Sequence, residues 1–61
     1  MNLVIGKTYQ IILKINEYTL TYTGTITSED THFISFLDKY NKEYNYNKSL
    51  IISIEEVKND T

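Results

Sequence analysis

Every second residue from Thr19 to Thr27 is a threonine, and the residues between them are mostly apolar. The intervening residues are Leu20, Tyr22, Gly24 and Ile26. A repeat of two places one set of side chains on each face of an extended chain, so this segment predicts a strand with one buried face. The predicted strand runs from Thr19 to Ser28, and the rest of the chain must supply its partners.

The remaining sequence predicts four more strands separated by short polar turns. β-Branched and aromatic residues dominate it, and no ten-residue window has the apolar spacing of a helix. A 3₁₀ turn is expected around Asn47 to Ser49. The four strands are Thr8 to Asn16, Thr31 to Asp38, Glu43 to Asn47 and Leu50 to Glu56.

Three positions in or beside these strands bear on their shape and burial. Gly24 lies on the inward row of the long strand, where a glycine permits a bulge or a bend. Val57 is expected to close one end of the core. Simple alternation places Ile51 alone on one face of the last strand, opposite the row Leu50, Ile52 and Ile54.

The length and the lack of cysteine restrict the fold further. A chain of 61 residues is one domain, near the lower limit at which a single apolar core holds a fold. Without cysteine it has neither a disulfide framework nor a thiolate metal site. We therefore predict one all-β domain over 1–61, a small, five-stranded, strongly bent antiparallel barrel. Its core spans about 6–57, and 58–61 form a frayed tail.

Small size also favours assembly into a homo-oligomer. The first five residues include no basic residue and only three consecutive apolar ones, far short of a signal peptide or a membrane span. The sequence therefore predicts a cytoplasmic protein that makes no membrane contact.

One segment resembles a known family. Gly24-Thr25-Ile26-Thr-Ser-Glu-Asp30, followed by an apolar run from Phe33, resembles the first motif of Sm proteins, and 6–57 as a whole resembles the Sm-like and SH3-like small barrels. Ile34 stands where the family usually has an asparagine that helps hold an RNA base, and Ile52-Ser53 stands in place of an Arg-Gly pair. The resemblance implies the barrel fold without the usual RNA site.

Catalytic and metal-binding patterns are sparse. The chain has no cysteine nucleophile, no glycine-rich phosphate loop and no second histidine for a relay. His32 with Asp30 and Glu29 is a weak metal-ligand set, and a polar β-turn is the simpler interpretation. Glu55 and Glu56 point to opposite faces of a strand, so they form no acid–base pair. We predict no enzyme, no cofactor and no metal site.

Aromatic residues alternate with lysines around the fourth strand, which makes this the most suggestive surface. Such a pattern suits a partner surface, or a site that stacks bases and neutralises phosphates in single-stranded nucleic acid or a small nucleotide. The net charge of −2 and the absence of arginine weaken the nucleic-acid interpretation. One of Tyr44 and Tyr46 is expected to be core. The predicted surface residues are Lys39, Tyr40, Lys42, Tyr44, Tyr46 and Lys48.

A second apolar face is expected to mediate self-association, through Ile12, Phe33 and Leu37. The leading hypothesis is a small non-enzymatic binding or regulatory module that acts by protein–protein contact. An inhibitor from a virus or a mobile element fits this description. The alternative hypothesis is a binder of single-stranded nucleic acid or a small nucleotide.

Overall fold

The computed structural model describes residues 2–58 and contains five antiparallel strands. A 3₁₀ turn, Lys48–Leu50, precedes the last strand close to its expected position. The all-β class and the number of strands are therefore confirmed; of the predicted tail, 59–61 lie outside the described residues. No helix within 2–58 is long and apolar enough to cross a membrane. The strands are β1 (Thr8–Ile15), β2 (Tyr18–Glu29), β3 (Phe33–Leu37), β4 (Glu43–Asn47) and β5 (Ile51–Glu56).

The five strands form one strongly bent sheet in the order β4-β3-β2-β1-β5. The long strand β2 serves both halves of the sheet. Its residues Tyr18 to Thr25 pair with β1, and Thr25 to Glu29 pair with β3. The predicted closure into a barrel does not form, because no pairing within 2–58 joins β4 to β5.

The core lies on the concave side of the sheet, where the inward rows of β1, β2 and β3 meet. Leu3, from the segment before β1, also packs against it, and the Tyr9 hydroxyl accepts a hydrogen bond from the Val4 backbone N–H at 3.0 Å. Val57, which was expected to close one end, is 39% exposed. The buried apolar side chains are Tyr9, Ile11, Leu13, Ile26, Ile34 and Phe36.

A β-bulge in β2 lies close to the glycine that the sequence singles out, but not at it. The register between β2 and β3 shifts between Ile26 and Ser28, so Thr27 is the extra residue. Gly24 provides space instead: a Cβ atom there would lie 2.4 Å from Cδ2 of Phe36. The long strand therefore has its bulge at Thr27, while the Phe36 ring occupies the room left at Gly24.

A second bulge changes which residues of β5 face the core. The register between β1 and β5 shifts between Ile12 and Leu13, and Ile52 is the extra residue of β5. Ile51 and Ile54 both pack against the core, whereas Ile52 is 58% exposed. The predicted separation of Ile51 from Ile54 was wrong, because simple alternation leaves out the extra residue.

Candidate functional site

The turn between β3 and β4 is held by the Asp38 side chain. Its Oδ1 accepts hydrogen bonds from the backbone N–H groups of Tyr40, at 2.8 Å, and Lys42, at 3.0 Å. Its Oδ2 accepts a hydrogen bond from the Tyr44 hydroxyl at 3.1 Å. Asn41 takes a left-handed conformation, with φ 63, which asparagine tolerates better than most residues. The hairpin therefore has a defined shape.

These hydrogen bonds also set the charge at the turn. The bond from the Lys42 backbone N–H, with those from Tyr40 and Tyr44, lowers the pKa of the Asp38 carboxyl from its ordinary 3.8. The carboxylate therefore stays ionised at neutral pH and keeps its acceptor oxygens. Asp38 is not among the predicted site residues, although an aspartate that opens a turn and bonds the backbone two residues on is a common sequence signal.

Beside this hairpin lies an open cleft of about 290 Å³. Tyr40 stands on its rim with 77% of the residue surface exposed, and Lys39 Nζ lies 5.3 Å from the centre of the Tyr40 ring. The cleft offers an aromatic surface, an ammonium group and hydroxyls within one concavity. Its lining residues are Thr21, Tyr22, Thr23, Asp38, Lys39 and Tyr40.

Tyr44 and Tyr46 belong to an aromatic cluster at the open end of the core. Both side chains are half-buried and pack against the core, whereas only one of them was expected to do so. The centre of the Tyr22 ring lies 4.7 Å from that of Tyr44 and 5.9 Å from that of Tyr46. The Tyr22 and Tyr46 hydroxyls share a hydrogen bond of 2.9 Å. Tyr22, which is not a predicted site residue, thus connects this cluster to the cleft.

The cluster changes the acidity of two phenols. Burial, followed by the hydrogen bond with the Tyr22 hydroxyl, raises the pKa of Tyr46 to about 12. Burial also raises the pKa of Tyr44, and the hydrogen bond to Asp38 adds to that shift. Both phenols are therefore neutral at physiological pH, and the charges at this surface come from the lysines and acids around them.

Lys48 lies at the other end of β4 from the hairpin. Its Nζ forms an ion pair with Glu29 Oε2 at 2.7 Å, with the two side chains 22% and 19% exposed. Its backbone N–H donates to the His32 carbonyl oxygen at 2.7 Å. Lys48 therefore joins the β2–β3 turn to the 3₁₀ turn. The predicted surface residues that the structure does bring together are Lys39, Tyr40, Lys42, Tyr44 and Tyr46.

Replacing Lys48 should lower the free energy of unfolding. Lys48→Ala leaves the largely covered Glu29 carboxylate without its ammonium partner, and we expect a loss of about 1 kcal/mol in the free energy of unfolding. Lys39→Ala is the matched control, with an expected change within about 0.5 kcal/mol. Urea denaturation measures both. Equal stability of the two variants would contradict a structural role for Lys48.

The three residues predicted to mediate self-association do not form one continuous patch. Ile12 is half-buried opposite Thr21, and Leu37 is half-buried opposite Thr25. These two positions of β2 are four residues apart, about 13 Å along the strand. Phe33 is 42% exposed and lies at the other end of β3 from Leu37.

The turn between β2 and β3 is built in the same way as the β3–β4 turn. Asp30 Oδ1 accepts hydrogen bonds from the backbone N–H groups of His32, at 2.9 Å, and Phe33, at 2.8 Å. Among the described residues, no three His, Cys, Asp or Glu side chains are placed to hold a metal ion. The carboxylates of Asp30 and Glu29 thus have structural partners already.

No family model matches the chain, and neither the curated proteins nor the solved structures give a match. No site or ligand can be transferred from another protein on that basis.

Proposed function

We propose that the protein is a small, non-enzymatic binding module of the cytoplasm that acts through contact with a protein partner at the cleft beside the β3–β4 hairpin. The observation that carries the proposal is the position of Tyr40, a residue with 77% of its surface exposed on a turn held by three hydrogen bonds to the Asp38 side chain. Aromatic residues dominate the binding energy of protein interfaces, and a preformed loop loses little entropy on binding.

The charges and the packing around the cleft favour a protein partner over a nucleic acid. Lys39 and Lys42 are offset by Asp38 and Glu43, and the chain as a whole carries −2. Binding to phosphates normally requires a surplus of positive charge. The aromatic cluster also engages the rings of Tyr44 and Tyr46, which reduces the surface they could offer to a base.

The alternative is a binder of single-stranded nucleic acid or a small nucleotide. It is supported by the ammonium groups of Lys39 and Lys42, which lie 5.3 Å from the ring centres of Tyr40 and Tyr44, respectively. Aromatic rings flanked by cations form the usual platform for single strands. Affinity that falls steeply with rising salt would favour this alternative.

Substituting Tyr40 should remove partner binding. In affinity purification from an extract of the source organism, we expect Tyr40→Ala to retain at least about tenfold less of the bound protein than wild type, since a central interface aromatic contributes about 2 kcal/mol or more. Tyr18→Ala is the matched control, because Tyr18 is 73% exposed on the β1–β2 hairpin and does not line the cleft. Quantitative mass spectrometry of the retained proteins gives the result.

Two outcomes would overturn the proposal. One is that Tyr40→Ala and Tyr18→Ala lower the amount of retained protein equally. The other is recovery of nucleic acid, lost after nuclease treatment or at high salt, in place of a protein. Circular dichroism of each variant verifies that the sheet has formed before binding is compared.

We also propose that the sheet, although it is not closed into a barrel, is related to the Sm-like and SH3-like small barrels. Five antiparallel strands, with β1 between β2 and β5 and a long β2 shared by both halves, support this assignment. A module of this size without a catalytic set suits an inhibitor that acts by occupying its target. We therefore include in the proposal that the protein is an inhibitor encoded by a virus or a mobile element.

A further inference from the structure

The backbone of β4 has one side open for pairing. Two hydrogen bonds bracket the strand: the Asp38 N–H donates to the Lys42 carbonyl oxygen, and the Lys48 N–H donates to the His32 carbonyl oxygen. In an antiparallel ladder the paired residues alternate, so Tyr44 and Tyr46 exchange bonds with β3. The N–H and C=O groups of Glu43, Asn45 and Asn47 therefore point away from it, and no described strand lies on that side.

β4 has fewer of the features that protect an edge strand than β5 has. Its register with β3 is regular over all five residues, it contains no proline and no lysine, and Glu43 is its one charged residue. The opposite edge, β5, has a bulge at Ile52 and ends in Glu55 and Glu56. Bulges and charges deter strand addition, so β4 is the edge suited to accept another strand.

We propose that β4 pairs with β4 of a second copy of this chain, antiparallel about Asn45, so that two five-stranded sheets become one continuous sheet. The inference goes beyond the proposed function, because the partner is a second copy of this chain and the binding surface is the edge of β4, not the Tyr40 cleft. In a register centred on Asn45, the backbone N–H and C=O groups of Glu43, Asn45 and Asn47 in each copy all form hydrogen bonds with the other copy. Three hydrogen-bonded pairs then form across the two-fold axis.

The side chains of β4 are self-complementary in this register. Tyr44 lies directly opposite the partner's Tyr46, in a non-hydrogen-bonded pair where side chains are closest. Both rings are half-buried in the monomer, so two such pairs would cover much of their remaining surface. Cross-strand aromatic pairs stabilise sheets, and a second copy supplies them on both sides of the axis.

The outer face of β4 fits the same two-fold axis. Asn45 Nδ2 donates one hydrogen bond to Ser35 Oγ at 2.7 Å, which leaves its second hydrogen and its Oδ1 for other partners. Across the axis, each Asn45 amide can donate to the carboxamide oxygen of the partner's Asn45. Glu43 lies opposite the partner's Asn47, so no like-charged pair occurs within the strand.

Just outside the strand the register leaves one repulsive pair. Lys42 lies opposite the partner's Lys48, whose ammonium group is already paired with Glu29 in each copy. Screening weakens this repulsion as salt rises. Dimerisation should therefore tighten with salt, which is opposite to the salt dependence of nucleic-acid binding.

Antiparallel pairing places the two hairpins at opposite ends of the shared β4 ribbon. Residue 41 of one copy aligns with residue 49 of the other, so the two turns lie about 26 Å apart along the strands. The dimer would present two Tyr40 clefts to a target with repeated sites. Binding through both clefts at once raises the apparent affinity, although each cleft makes the same contacts as it does in the monomer.

The oligomeric state of purified protein tests the proposal. Sedimentation equilibrium over a range of concentrations should show a monomer–dimer equilibrium for wild type. Asn45→Pro removes an N–H that points away from β3, so the monomer keeps its ladder, and Asn45→Lys places two ammonium groups on the axis. Both variants should need at least about tenfold higher concentration to dimerise. Ser53→Lys, the same charge change on β5, should dimerise as wild type does.

A cysteine at the axis tests the register. The natural chain has no cysteine, so a single introduced thiol reports on one position alone. Asn45→Cys places the two Cα atoms about 5.5 Å apart in the proposed pairing, within the range of a disulfide. Oxidation should link most of the protein as a dimer, whereas Ser53→Cys should remain largely monomeric under the same conditions.

Three results would overturn the proposal. They are a wild-type protein that stays monomeric up to millimolar concentration, unchanged dimerisation of both Asn45 variants, and efficient linking through Ser53→Cys instead of Asn45→Cys. These experiments use purified protein without any other partner. If the protein does not dimerise, the proposal of partner binding at the Tyr40 cleft still stands. If Tyr40→Ala does not reduce partner binding, the proposal of a dimer through β4 still stands.

Discussion

Gly24→Ala should destabilise the protein by about 2–3 kcal/mol, a large part of the stability of a domain this small. The added Cβ atom would lie 2.4 Å from Cδ2 and 3.0 Å from Cγ of Phe36. The Phe36 ring is fully buried and has Tyr22 and Tyr44 as ring neighbours at 5.3 and 5.5 Å. It therefore has little room to move, and the overlap must be relieved by shifting β2 against β3.

A double-mutant cycle shows whether the overlap with Phe36 is the cause. Phe36→Leu alone should be destabilising because it leaves a cavity, but in that background Gly24→Ala should cost less than half as much. Thr23→Ala, on the outward face of the same strand, is the control and should change stability by about 0.5 kcal/mol or less. Equal effects of Gly24→Ala in both backgrounds would show that its cause lies elsewhere.

Gly24 illustrates how far the sequence can predict this fold. The period of two from Thr19 to Thr27 is sufficient to predict the strand and its inward row, and β4 has the predicted bounds. A glycine on an inward row indicates that something special occurs there, but either a bend or a close neighbour explains it. The position of Phe36 on the neighbouring strand shows that a close neighbour, and not a bend, explains Gly24. That position depends on the register shift at Thr27, which the sequence does not reveal.

The faces of β5 were mispredicted for a related reason. The extra residue Ile52 carries no distinct local signal, because it and the preceding Ile51 are the same residue type. The bulge becomes evident only when β5 is aligned with β1. Alternation therefore predicts the existence of the strand better than it predicts which isoleucine reaches the core.

Only the part of the candidate site that is contiguous in sequence could be predicted. The segment from Lys39 to Tyr46 is contiguous in sequence, and the hairpin keeps its side chains together. Tyr22 joins them from β2, and Lys48 is drawn away by Glu29, which is nineteen residues earlier in the chain. Both effects depend on contacts between strands, which composition and spacing do not contain.

The stability that the Tyr46 phenol contributes should be lost as the pH rises from 10 towards 12. The pKa of Tyr46 is raised from its ordinary 10.0 to about 12, so folding favours its neutral phenol. The contribution to stability is therefore complete below pH 10 and disappears as the pH passes the folded pKa. Ionisation also removes the donor that Tyr46 can offer to the Tyr22 hydroxyl.

Tyr22→Phe separates the two causes of this shift. Burial is the larger cause and the hydrogen bond with Tyr22 the second, so the variant should lower the pKa of Tyr46 while leaving it above 10. The tyrosinate absorbance of each background, less that of the same background with Tyr46→Phe, isolates the titration of Tyr46. An unchanged pKa in Tyr22→Phe would exclude a contribution from the hydroxyl pair. A fall to 10 would mean that the hydroxyl pair, and not burial, causes the shift.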